Sequence, residues 1–308
     1  MSARDVILVT GADLAPQAVA LLNDFDLVYA GKECGEDLLE SLCARHQPVA
    51  MIVRYGRVSE RVIAASQRLR VISKHGTGID NIDSAAAKAR GIVVRAAVGA
   101  NAPAVAEHTW ALILACAKGV VPLDARMRAG HWDKATHKSL ELKGRTLGLV
   151  GLGAIGRLVA TTGTALGMRV VAYDPFAASF PEGIESVTLD QLFATADVLS
   201  LHCPLTKENA NMINATTLAA MRDGAIVVNT ARGGLIDEAA LAQALRSGKL
   251  RAAGLDSFQV EPYTGGHEFS GLHNAVLTPH VAGVTADAYV GMGTGAARNI
   301  LEELAVAA

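Results

Sequence analysis

Residues 149–157 read LVGLGAIGR, and the next apolar run closes as MRVVAYDP at 168–175. Gly151, Gly153 and Gly156 thus form a Gly-x-Gly-x-x-Gly pattern directly after the strand-like run TLGLV. Each glycine answers a separate steric demand. The first permits a tight turn, the second lets a pyrophosphate approach the backbone, and the third allows the following helix to sit close to the strand. A helix beginning near Ala154 directs its free N–H groups and positive dipole end at the phosphates. Asp174 lies 23 residues after Gly151, close to the ~20-residue offset of a ribose-binding acid. Its carboxylate can accept from a ribose 2′-hydroxyl and repels a 2′-phosphate, and Pro175, Phe176 and Ala177 offer no cation to receive one. The segment reads as a dinucleotide site that favours NAD over NADP.

Outward from this motif the chain alternates short apolar runs with amphipathic stretches. After it come MRVVAYD (168–174), DVLSLH (197–202), AIVVNT (225–230), RAAGLD (251–256) and AVLTPH (275–280), with helical patterns at 154–166, 189–195, 215–222, 237–247 and 285–305. Before it lies a second series, VILVT (6–10), LVYA (27–30), VAMIVR (49–54), LRVIS (69–73) and GIVVR (91–95), with helical patterns at 14–24, 36–46, 59–66 and 82–90. This rhythm predicts parallel sheets covered on both faces. The two series are separated by an Ala-rich apolar helix from about 102 to 118 and an aperiodic polar stretch at 129–145. The expected fold class is α/β, with two doubly wound parallel-sheet domains.

The 308 residues suffice for about two domains, and 51% of them are apolar, which excludes a disordered chain. The 28 basic and 30 acidic residues leave a net charge of −2, so electrostatics gives no reason to expect a nucleic acid or an anionic membrane as partner. The most apolar helical stretch, 109–117, is about half of what a bilayer requires, and the start MSARDVILVT has no signal-peptide pattern. Four scattered cysteines, Cys34, Cys43, Cys116 and Cys203, make neither a disulfide framework nor a metal site. A cytoplasmic protein with reduced thiols and no metal is expected.

Hydride transfer to a carbonyl needs a cation to hold and polarise the substrate, an acid for the developing alkoxide, and a group to tune that acid. Three residues stand just past the carboxyl ends of expected parallel strands, where open α/β sheets bind ligands. They are Arg232 in NTARGG, Glu261 in SFQVEP and His280 in TPHVAG.

With these residues the chain resembles the D-isomer-specific 2-hydroxyacid dehydrogenase family, closest to its D-3-phosphoglycerate dehydrogenase branch without a regulatory domain. The matching segments are HGTGIDNID (75–83), LVGLGAIGR (149–157), AYDP (172–175), HCPLTKEN (202–209), NTARGGLIDEAALAQAL (229–245), GLDSF (254–258) with Glu261-Pro262, and LTPHVAG (277–283). They follow the family's order over about two thirds of the chain. The resemblance implies that Arg232 holds the substrate carboxylate and carbonyl. It makes His280 the general acid/base and Glu261 its partner, whose negative charge favours the protonated ring. It places the backbone of Gly76, Thr77 and Gly78 at the substrate carboxylate, with Asn101 on the substrate side. Thr77, Gly151, Gly153, Ala154, Ile155, Gly156, Asp174, Cys203, Pro204, Thr230, Asp256 and Gly283 fall at cofactor positions for NAD. The family often has Thr-Pro ahead of the Asn near 101, whereas this chain reads Ala97-Val98-Gly99-Ala100-Asn101.

The resemblance further implies a flavodoxin-like substrate-binding domain of residues 1–98 plus 285–308, a Rossmann NAD-binding domain of 99–284, and a cleft between them. The 102–118 helix then lies at the hinge and the face of a homodimer. Arg54 and Lys74 end their strands at positions where the phosphoglycerate branch carries phosphate-contacting cations, so a dianionic substrate such as 3-phosphoglycerate is expected. The chain stops directly after its last helix, so no serine-binding regulatory domain is expected. A glyoxylate/hydroxypyruvate reductase, which needs no second anion site, is the alternative. A formate dehydrogenase is disfavoured because that branch typically has Gln where Glu261 stands. An NAD(H)-sensing corepressor-like binding protein would share the triad, but this compact chain lacks the disordered tail such proteins carry.

Overall fold

The computed structural model describes residues 4–264, 266 and 268–306. Residues 1–3 and 307–308 of the expected substrate domain lie outside the described residues. The chain divides into two compact units, Met1–Asn101 with Val284–Ala308, and Ala102–Gly283.

The first unit is a five-stranded parallel sheet. Its strands are β1 (Val6–Thr10), β2 (Asp26–Tyr29), β3 (Ala50–Val53), β4 (Val71–Lys74) and β5 (Val93–Ala96), in the order β2-β1-β3-β4-β5. This is the flavodoxin-like order. Helices α1 (Pro16–Leu21), α2 (Glu36–His46), α3 (Glu60–Ala64) and α4 (Ser84–Ala89) make the crossovers. The central strands read as unbroken apolar runs because both faces are covered. Successive side chains alternate between two cores. Leu8, Met51, Val53 and Ile72 pack with Leu39, Val62 and Ile63 on one face. Ile7, Val9, Ala50, Ile52 and Val71 pack on the other with Ala296, Ala297 and Ile300. Those last three belong to the C-terminal helix, Ala286–Val306. The chain therefore returns to its first sheet to cover a face that the first hundred residues leave open.

The second unit opens with α5 (Ala102–Lys118) and α6 (Val120–Arg128). Seven parallel strands follow, β6 (Thr146–Val150), β7 (Arg169–Tyr173), β8 (Ile184–Ser186), β9 (Val198–Leu201), β10 (Ala225–Asn229), β11 (Leu250–Leu255) and β12 (Ala275–Leu277). Helices α7 (Ala154–Ala165), α8 (Leu189–Thr195), α9 (Ala215–Ala220) and α10 (Glu238–Arg246) connect them. The order β12-β11-β10-β9-β6-β7-β8 runs outward in both directions from the β6/β9 pair. That pair is the topological switch point, so the loops after β6 and β9 bound the crevice where such sheets take ligands.

Two elements differ from the sequence reading. β8 has no apolar run to announce it. It is a three-residue edge strand, IES, with no fully buried side chain. The segment 120–128 carries no assignment from the sequence, yet it is helical and has no buried residue. Gly119, at φ +66°, separates it from α5, and that glycine hides the continuation from a periodicity argument. Ten residues of α5 are buried, which accounts for its apolar character on every side. Among the described residues no single helix is long and apolar enough to cross a membrane, although α5 and α6, bent by 62°, pass that test together.

Candidate active site

The three glycines of the loop after β6 have the steric surroundings their spacing predicts. A Cβ on Gly151, which has φ +95°, would lie 2.7 Å from the His202 carbonyl oxygen. One on Gly156 would lie 2.3 Å from the Gly151 carbonyl. Gly153 differs: a Cβ there would meet nothing within 4 Å. The space over Gly153 is open to a ligand, and α7 begins immediately after it with no side-chain cap on its N-terminal amides. Ala154 is exposed and Ile155 half-buried at the same helix end. This arrangement fits a dinucleotide pyrophosphate.

Asp174, just past β7, fixes the loop from beside it. Its Oδ2 accepts from the Leu152 N–H at 2.8 Å and its Oδ1 from the Phe176 N–H at 2.9 Å. Each oxygen keeps a further lone pair for a ribose hydroxyl. After β9, burial pushes the Cys203 thiol up to about 11, so it is a neutral apolar group at pH 7. Pro204 follows it, exposed, and its carbonyl accepts from the Asn209 side chain at 2.8 Å. Thr230, after β10, shares a 2.9 Å hydrogen bond with Thr109 of α5.

Arg232 is set by the turn that follows β10. Asn229, fully buried, accepts from the Ala231 N–H at 2.9 Å and donates to the Arg232 carbonyl at 2.9 Å. The next residue, Gly233, lies so close to the Phe258–Gln259 peptide that a Cβ would reach 1.9 Å from the Phe258 carbonyl carbon. The loop after β10 is thereby held against the loop after β11, which carries Glu261.

Glu261 accepts from the Phe258 N–H at 2.9 Å through Oε1, and its Oε2 meets His280 Nδ1 at 2.8 Å. A carboxylate acceptor on Nδ1 fixes the proton there and leaves Nε2 as the atom that can give up or take a proton. His280 lies past β12 with φ +54°, a left-handed backbone that non-glycine residues adopt at a cost of ~1–2 kcal/mol. Asp256, 1% exposed, holds that loop. Its carboxylate accepts from Thr278 Oγ1 at 2.6 Å, the Val281 N–H at 2.9 Å and the Ala282 N–H at 2.8 Å. His108 of α5 joins the same group, 2.9 Å from Thr278 Oγ1. No sequence signal singled out His108. Gly283 closes the unit one residue after the loop.

The remaining sequence candidates lie in the first unit. Gly76, at φ +136°, and Gly78 flank Thr77, whose hydroxyl donates to Asn101 Oδ1 at 3.1 Å. Lys74 Nζ donates to Asn81 Oδ1 at 3.0 Å and to the Arg54 carbonyl at 3.3 Å. Arg54 is not the uncommitted strand-end cation the sequence suggested. Its guanidinium donates to the Asp13 carbonyl at 2.5 Å and forms an ion pair with the Asp13 carboxylate. Asp13 sits in the loop past β1, which neighbours β3 in the sheet, an adjacency that the sequence alone does not give.

Comparisons with known proteins agree with this geometry. Residues 110–282 match the family model for the D-isomer specific 2-hydroxyacid dehydrogenase, NAD binding domain. The chain is 42% identical over 306 residues to D-3-phosphoglycerate dehydrogenase of Mycobacterium leprae, covering 98% of this chain but only 57% of that protein's length. It is 44% identical over 252 residues to hydroxypyruvate reductase of Thermotoga maritima, covering 81% of this chain and 82% of the relative. The crystal structure of the TT0316 protein from Thermus thermophilus superposes with a TM-score of 0.90 at 36% identity, over 98% of this chain and 97% of that one. The glycine turn, the strand-end triad and these matches together place the chain in the D-isomer specific 2-hydroxyacid dehydrogenase family.

Proposed function

We propose that the protein is an NAD-dependent dehydrogenase that interconverts a short 2-keto acid and the corresponding D-2-hydroxy acid. The observation that carries this reading is the 2.8 Å contact between Glu261 and His280 Nδ1, in the same unit as the glycine turn. When bound, the nicotinamide supplies a hydride to the keto carbon or accepts one from the hydroxy acid. Arg232 holds and polarises the substrate, as its charge and strand-end position suit. His280 Nε2 gives its proton to the carbonyl oxygen as negative charge develops there, and takes it back in the reverse direction. Glu261 orients the ring through its 2.8 Å contact at Nδ1. The backbone of Gly76, Thr77 and Gly78 holds the substrate carboxylate, with Asn101 beside Thr77. Thr77, Ala154, Ile155, Cys203, Pro204, Thr230, Asp256 and Gly283 line the cofactor, and Asp174 takes the ribose hydroxyls.

Residues 1–98 with 285–308 serve as the substrate-binding domain in this reading, and 99–284 as the NAD-binding domain. A cytoplasmic homodimer is part of the same proposal. The exposed Val120, Val121, Met127 and Trp132, on and just after α6, support a second copy as partner. Two substrate types compete. The cations Arg54 and Lys74 favour a dianion such as 3-phosphoglycerate. The engagement of Arg54 by Asp13 favours a glyoxylate or hydroxypyruvate reductase. The test is an NADH-oxidation screen over hydroxypyruvate, glyoxylate, pyruvate, phosphohydroxypyruvate and sulfopyruvate. Turnover of at least one is expected, and turnover of none, by protein that binds NADH, would overturn the proposal.

A further inference from the structure

The Arg54 side chain is 12% exposed and lies between two aromatic rings. Its guanidinium carbon is 5.2 Å from the Tyr55 ring centroid and 5.1 Å from that of Tyr289. Gly11 makes room for its stem, since a Cβ there would come within 2.9 Å of Arg54 Cδ. The Asp13 carboxylate pairs with the guanidinium and also accepts from Tyr289 Oη at 2.9 Å. Those two hydrogen bonds hold its carboxyl below the usual carboxylate range, so it is ionised at neutral pH. Lys74 Nζ lies on the same strand-end edge, against the Arg54 carbonyl, and the Gly76–Gly78 loop begins after one intervening residue, His75.

We infer that Asp13 sets the substrate class by cancelling the charge of Arg54, so that the Arg54–Asp13–Tyr289 group accepts an uncharged, hydroxyl-bearing tail and disfavours a phosphate. This rests on the proposed dehydrogenase function and on Arg54 facing the substrate's far end. The chemistry has two parts. An ionised carboxylate accepts a hydrogen bond from an O–H tail, which a phosphate dianion cannot donate. The same carboxylate repels a phosphate and occupies the guanidinium that would otherwise bind it. Arg54 cannot simply turn to a new anion, because two rings and the Asp13 carbonyl already fix its plane. The ligand class is therefore a 3-hydroxy-2-oxo acid such as hydroxypyruvate.

The test compares kcat/KM for hydroxypyruvate, phosphohydroxypyruvate and glyoxylate in the wild-type protein, Asp13→Asn and Asp13→Ala. Using ratios between substrates removes any effect of partly unfolded protein. Wild type is expected to prefer hydroxypyruvate over phosphohydroxypyruvate. Both variants should raise the phosphohydroxypyruvate-to-hydroxypyruvate ratio by about tenfold, the low end for a charge-assisted contact because Asp13 is 62% exposed. A wild-type preference for phosphohydroxypyruvate, or a ratio unchanged within twofold in both variants, overturns the inference while leaving the dehydrogenase reading intact. Failure of wild type to reduce any of the three, with NADH bound, overturns that reading and this inference with it.

Discussion

Replacing Asp256 with Asn leaves the shape of the side chain and removes one acceptor, and the structure shows which partner loses. Thr278 Oγ1 and the Val281 N–H donate to Oδ1, and the Ala282 N–H donates to Oδ2. In one amide orientation the new NH2 faces the Ala282 N–H, and in the other it faces that of Val281. Either way a backbone donor beside a 1% exposed side chain meets another donor. One buried donor without an acceptor costs about 1–3 kcal/mol. The same loop holds His280 at φ +54°, a left-handed backbone that favours relaxing to another shape once this contact is weakened. At ~1.36 kcal/mol per decade, kcat at saturating NADH and keto acid should fall about 5- to 150-fold. The unfolding free energy of the protein in urea should fall by about 1–3 kcal/mol. Saturating NADH keeps any loss of cofactor affinity out of kcat. Thr278→Val, which removes one donor and keeps the carboxylate, should show a smaller fall in both. An Asp256→Asn protein with kcat within twofold of wild type would refute the idea that this carboxylate holds His280 in place.

Three further outcomes follow from particular contacts. His280→Asn, chosen because Asn tolerates a left-handed backbone, should lower turnover by about 10²–10⁴-fold and leave the NADH Kd within threefold; loss of NADH affinity with turnover of the bound complex preserved would contradict the acid/base role. Asp174→Asn should reduce the NAD-over-NADP preference in kcat/KM by at least about tenfold, and an unchanged ratio would show that Asp174 is not the ribose ligand. His75 is 8% exposed and its Nε2 has no hydrogen-bond partner among the described residues; burial above all, with the Arg54 and Lys74 charges, lowers its pKa to about 4. The neutral ring therefore contributes stability that is complete above the unfolded pKa of about 6.5 and is lost as the pH falls towards 4. By linkage the contribution is on the order of 3 kcal/mol. Urea unfolding of wild type and His75→Gln across that window checks it, and parallel pH curves would refute it.

The dinucleotide turn was legible because each of its glycines answers a steric need that sequence spacing encodes. The strand-end placement of Arg232, Glu261 and His280 was legible for a related reason: a parallel sheet puts all its carboxyl ends on one edge, so strand assignments alone put the three residues on that edge. The Asp13–Arg54 pair was not legible. The partners are 41 residues apart, and pairing requires knowing that β1 neighbours β3 while β2, between them in sequence, lies on the far side of β1. Arg54 alone reads as a cation waiting for an anion, and only the sheet order reveals that the chain supplies one itself. His108 escaped for the same reason, since its partner Thr278 is 170 residues away. β8 and α6 were missed where burial is least, because hydrophobic periodicity reports burial and these elements have little of it.

The most direct test of the dehydrogenase reading follows the hydrogen itself. Wild-type protein is incubated with hydroxypyruvate and NADH deuterated at the transferable C4 position, and the product is examined by NMR and chiral chromatography. The expected product is D-glycerate with one deuterium at C2, formed by wild type and not by His280→Asn at matched occupancy of NADH. Formation of the L-isomer, or D-glycerate without deuterium at C2, would contradict direct hydride transfer on the D face by this site.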